Sequence, residues 1–140
     1  MKKYNVVMVF NPAYDKLLMC HRRKEPFKGL SNLVGGKIEA GENGLDAAYR
    51  ELREETGIGK ADIRLTPLMD FRYYPSDILL EVYVGKLKRE VAVSGNENEL
   101  YWSDLNRNFF DTAVFAGGGN IGHMLEEVKW HEETLFAENP

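Results

Sequence analysis

Two periods of apolar and polar positions run along the chain and divide it into elements. Residues 4–10 (YNVVMVF) and 16–22 are β-branched, aromatic and aliphatic runs separated by the turn chemistry of Asn11, Pro12 and Asp15, which predicts a hairpin. A third short strand is expected over residues 30–34, leading into a turn at Gly35 and Gly36, where glycine permits positive φ and close backbone approach. The period then becomes helical. Leu45, Ala48, Tyr49 and Leu52 form one apolar stripe, Asn43 can cap the first turn, Asp46 suits the positive end of the dipole, and Gly57 marks the stop after Thr56. Residues 63–74 and 78–88 predict a second hairpin around Pro75, Ser76 and Asp77. Its aromatics Phe71, Tyr73, Tyr74 and Tyr83 read as packing residues rather than base-stacking ones. A polar loop, SGNENE, precedes Leu100, Tyr101 and Trp102. Near the end, Asn120 is expected to cap a helix from Ile121 to about Glu133 that buries Ile121, Met124, Leu125 and Val128. This order predicts an α+β domain with a mixed central sheet and helices on its faces.

With 140 residues, 44% of them hydrophobic, one domain spanning residues 1–140 is expected. The net charge of −4 argues against general binding to a nucleic-acid backbone. The single cysteine, Cys20, has no internal disulfide partner and reads as a packing residue. No apolar run is long enough for a membrane span or a signal peptide, so no membrane association is expected and the cytoplasm is the expected compartment.

The candidate chemistry lies on the first helix. Glu51, Glu54 and Glu55 fall within an arc of roughly 100° beside the apolar stripe, so their carboxylates can converge. A solvated acidic face would pair Glu with Lys four residues on, whereas here Glu51 is followed at that spacing by Glu55, a like-charge pair. A divalent cation would turn that repulsion into ligation. Lys37 follows Gly36 directly, and next to so many carboxylates it reads as a contact for an anionic phosphate group. Glu97 and Glu99 are candidates for a further metal ligand from outside the helix. Gly117, Gly118 and Gly119 enter the last helix without the Lys and Ser or Thr of a phosphate-binding P-loop, and read as a hinge or cap. His123 reads as a packed or surface residue.

Taken together, the spacing is Gly36, five residues, Glu42, seven residues, then Arg50-Glu51-Leu52, any residue, Glu54-Glu55, any residue, Gly57-Ile58. Chance agreement at all these positions is on the order of one in ten million. The stretch resembles the signature of the Nudix (MutT-like) hydrolases at every defined position. That resemblance implies an α/β/α sandwich with the motif as loop and helix, and hydrolysis of a nucleoside diphosphate linked to another moiety with Mg2+ or Mn2+. It implies metal ligation by Glu51, Glu54 and Glu55, with Glu97 and the Gly36 carbonyl in addition. Glu97 fits the family's spacing before a tryptophan better than Glu99. Arg50 is expected to orient the glutamates. Glu51 and Glu54 are both candidates for the base, with Glu42 in support. Arg22 or Arg23 and Lys37 are expected on substrate phosphates. Asn32 stands where some oxidised-purine nucleotide hydrolases of the family contact the base, which favours a nucleoside triphosphate cleaved to monophosphate and pyrophosphate. Those enzymes place acidic residues late in the chain, where Ala116, Gly117 and Gly118 stand here. ADP-ribose, a nucleotide sugar or a capped RNA end are the alternative substrates, and a non-catalytic nucleotide-binding domain is the alternative of another class. A small nucleotide is the expected partner, and a homodimer is left open.

Overall fold

The structure is a computed structural model that describes residues 1–95 and 97–137. Its strands are β1 (Lys2–Phe10), β2 (Lys16–His21), β3 (Ser31–Asn32), β4 (Val34–Lys37), β5 (Thr66–Tyr73), β6 (Ile78–Lys86) and β7 (Glu99–Asp104). Helix α1 (Gly44–Thr56) follows β4, and α2 (Asn120–Leu135) closes the chain. The strands form one mixed sheet in the order β3-β2-β1-β6-β5, with β4 also on β1 and β7 also on β2. β1 runs parallel to β6, and the other pairings are antiparallel.

The unbroken apolar run of β1 follows from its central position, because both of its faces are covered. Met8 and Phe10 pack with Val82, Val84 and the α2 residues Ile121, Met124 and Val128. Val7 and Val9 face the other way, onto Ala48 and Leu52 of α1. The predicted α+β sandwich is therefore the observed one. The stripe expected on α1 is the face it buries, with Leu45 and Tyr49 at its margin.

The predicted limits of α1 hold. Asn43 Oδ1 accepts from the N–H groups of Leu45 at 2.9 Å and Asp46 at 3.4 Å, and Gly57 sits at φ 82° with its N–H on Arg53 O. Both expected hairpins form, although β5 starts at Thr66 and carries an irregularity between Pro67 and Met69. Two expectations need correction. The strand over residues 30–34 is two short strands, and the glycines are not a turn. β1 and β2 share only the Phe10–Leu17 register before diverging, and the chain bridges the gap: Asn32 pairs with Cys20 of β2, after which Gly35 and Gly36 pair with Val6 and Asn5 of β1. The role of Asn120 also differs. Gly119, at φ 94°, precedes α2 without any side-chain cap, while Asn120 is the first helical residue and its Nδ2 donates to Tyr73 OH. Part of the SGNENE loop, Asn96, lies outside the described residues. Among the described residues no helix is long and apolar enough to cross a membrane.

Candidate active site

Arg50 organises the acidic face of α1. Its guanidinium donates to both oxygens of Glu42, Nε to Oε2 at 2.7 Å and an Nη to Oε1 at 2.9 Å. Further donations reach Glu51 Oε1 at 3.0 Å, Glu54 Oε2 at 3.2 Å and the Lys37 carbonyl at 3.0 Å. A planar fork with five N–H groups can make all these contacts at once, and an ammonium cannot. One side chain thus ties the loop at Glu42, the end of β4 and two turns of α1 together. The paired guanidinium also holds the Glu42 carboxyl down at about 2.

The motif glutamates occupy different environments. Glu55 Oε2 accepts the Gly35 N–H at 3.2 Å, and burial, aided by the charges of Glu51 and Glu97, pushes its carboxyl up to about 7. Glu51 is raised as well, first by burial and then by Glu54 and Glu42, against the opposing pull of Arg50. Glu54 is the exposed member. The three carboxylates line one side of α1 but do not meet at a point: among the described residues no three acidic, histidine or cysteine side chains gather closely enough to hold an ion. Arg50 draws Glu51 and Glu54 toward itself, and the Gly35 N–H draws Glu55 away.

The donor set nevertheless suits a hard dication. It consists of carboxylate and carbonyl oxygens, and like charges already push protons onto two of the carboxyls, a repulsion that a cation would relieve. Gly36 contributes space. A Cβ there would sit 2.5 Å from Glu51 Oε2, so only glycine lets this peptide lie against that carboxylate.

Beside the cluster opens a cavity of about 630 Å³. Arg22, Asn32, Gly35, Gly36 and Lys37 line one part of it. Tyr73, Ile78, Leu80, Ala116, Gly117, Asn120, Ile121 and Met124 line the rest. The two arginines separate here. Arg22 reaches the cavity with its Nε on Pro26 O at 3.3 Å, whereas Arg23 is absent from the lining and its backbone N–H donates to Asn98 Oδ1 at 3.1 Å. Glu97 acts on Glu55 through its charge, and Glu99 starts β7 opposite His21. Asn32 Oδ1 accepts the N–H of Leu33 at 2.8 Å, leaving its amide nitrogen for another partner. Cys20 is buried with its thiol pushed up to about 11 by burial, as a packing residue would be. His123 is exposed, edge-on to Phe71.

Residues 1–116, which include this whole constellation, match the family model for the NUDIX domain. The chain belongs to the Nudix family. It is 38% identical over 120 residues to an ADP-ribose pyrophosphatase of Methanocaldococcus jannaschii, covering 76% of this chain and 69% of that protein. It is 30% identical over 81 residues to an oxidized purine nucleoside triphosphate hydrolase of Mus musculus, covering 58% of this chain and 51% of the relative. Among solved structures, an Ap4A hydrolase of C. elegans superposes with a TM-score of 0.72 at 18% identity, over 94% of this chain and 98% of the other, a likeness of fold. The protein is a MutT-like Nudix pyrophosphohydrolase, and dependence on a divalent metal ion is general to such enzymes.

Sequence reasoning missed the contribution of β1. Asn5 Oδ1 accepts the Gly36 N–H at 3.0 Å and so fixes the strand that carries Lys37. The available signal was a polar residue inside an otherwise apolar strand. Tyr73 and Asn120 were read as a packing aromatic and a helix cap, whereas both line the cavity.

Proposed function

We propose that the enzyme hydrolyses a pyrophosphate bond in a nucleoside diphosphate derivative, with a purine nucleoside triphosphate cleaved to monophosphate and pyrophosphate as the first reading. The observation that carries it is the continuity of the cavity. One lining places Lys37, Arg22 and the Gly35–Gly36 backbone beside Glu51 and Glu55, and runs on into an apolar recess that reaches Asn32 and Met124. A phosphate chain suits the first part and a nucleoside the second.

Glu51, Glu54 and Glu55, with Glu97 and the Gly36 carbonyl, would hold Mg2+ or Mn2+. The ion supplies neutralisation of the phosphate charge and acidification of water. The protein's own groups do the rest. Lys37 and Arg22 face the phosphates and stabilise the charge that gathers on the leaving group. Arg50 fixes Glu51 and Glu54, which share its guanidinium and are the two carboxylates placed to take the proton of the attacking water at an Oε atom. Glu42, held at low pKa by Arg50, keeps the guanidinium in register and is a poor base.

A second reading, ADP-ribose or a nucleotide sugar, is favoured by the 38% identity to an ADP-ribose pyrophosphatase. Product analysis with Mg2+ separates the two. Triphosphates would yield pyrophosphate, and ADP-ribose would yield AMP with ribose 5-phosphate. Glu54→Gln should lower turnover by about three orders of magnitude or more without loss of fold. A Glu54→Gln enzyme as active as the wild type would refute the assignment, and release of neither product pattern would refute the substrate class.

A further inference from the structure

Asn5 stands on β1 directly opposite Gly36 and next to Glu81 of β6. It is 2% exposed, yet it lies in the lining of the substrate cavity. Its two amide ends have different fates. Oδ1 is taken by the Gly36 N–H, and because that donor needs an oxygen, the amide cannot flip. Nδ2 is therefore fixed as well, and among the described residues it is buried with no hydrogen-bond partner. The carboxylates nearest in the fold are engaged elsewhere: Glu81 accepts from Tyr83 OH, and Glu51 accepts from Arg50. A buried donor left unpaired loses its hydration with no return, so native proteins keep one where a ligand completes it.

We propose that the Asn5 side-chain N–H donates to an oxygen of the sugar–phosphate part of the substrate, and that nucleotide affinity depends on this bond. The position fits the chemistry. Gly36 and Lys37 adjoin Asn5 on the neighbouring strand, so an anionic chain seated there brings acceptor oxygens to the one donor that lacks them. Asn5 thus has two duties, holding the Gly36 strand through Oδ1 and reading the substrate through Nδ2. The proposal rests on the pyrophosphohydrolase reading above.

The test is calorimetric binding of α,β-methylene-ATP and of methylenediphosphonate with Mg2+ to wild type and Asn5→Thr, whose hydroxyl can still accept from Gly36 while a methyl replaces the amide nitrogen. The variant should keep the melting temperature and Mn2+ affinity of the wild type but bind the nucleotide analogue at least about tenfold more weakly. Loss for both analogues places the bond on a phosphoryl oxygen, and loss for the nucleotide alone places it on the sugar. Each supports the proposal. Equal nucleotide binding by variant and wild type overturns it while leaving the parent reading intact. A marked fall in melting temperature also overturns it, because Nδ2 would then be paired in the free protein. A wild type that takes up neither analogue removes the parent reading too. Should Asn5→Thr fail to fold, Asn5→Asp keeps an oxygen toward Gly36 and should show the same loss.

Discussion

Glu55→Gln should stabilise the metal-free protein at neutral and alkaline pH, a reversal of the usual cost of changing a partly buried polar residue. The Glu55 carboxyl titrates near 7 in the folded chain, against an ordinary value near 4.5. Between those limits the folded protein retains a proton that the unfolded chain has released. The stability tied to this group is therefore complete below about pH 4.5 and is lost as pH rises through 7. At about 1.4 kcal/mol per pH unit the window is worth at most about 3 kcal/mol, and because Glu55 is not fully buried, screening brings the expected figure to about 1–2 kcal/mol. Glutamine fills the same space, can still accept the Gly35 N–H and does not titrate. Urea denaturation of wild type and Glu55→Gln in EDTA, from about pH 5 to 8, reads the effect as a difference that cancels titrations common to both proteins. The wild type should lose stability relative to the variant across the window, and saturating Mg2+ should restore it in the wild type alone. Parallel pH profiles, or a variant less stable than wild type at pH 8, would refute the reasoning.

Glu42 works in the opposite sense. Its carboxyl is held near 2, so its contribution is present above about 4.5 and fades as pH falls through 2; Glu42→Gln should flatten the acid limb of the same denaturation curves. Arg50→Lys keeps the charge but cannot span Glu42, Glu51, Glu54 and the Lys37 carbonyl together, so kcat should fall by about tenfold to a hundredfold; unchanged steady-state kinetics would contradict the clamp. Gly36→Ala places a methyl against the mobile end of Glu51, which can swing aside, so unfolding should be little altered while Mn2+ affinity and turnover drop. Leu52→Ala opens the α1 side of the core and should cost about 2–5 kcal/mol in chemical denaturation, with activity per folded molecule retained.

What the sequence determined by itself was whatever depends on near neighbours. The ends of α1 were legible because capping is local: Asn43 reaches only the next turn, and Gly57 is set by its own φ. The buried stripe of α1 and the grouping of Glu51, Glu54 and Glu55 on one side followed from helical period alone. Tertiary structure decided everything that needed a second segment. Divergence of β1 from β2 turned the expected glycine turn into a strand, and brought Asn5 onto Gly36 from 31 residues away. Whether the glutamates meet was set by Arg50 and the Gly35 N–H, whose pull on each carboxylate depends on the loop at Glu42 and on β4. Arg22 and Arg23 are equivalent as residues, and the loop path alone sends one into the cavity and the other away from it. Short-range geometry is encoded residue by residue, while a site shared between a sheet and a helix exists only once both have packed.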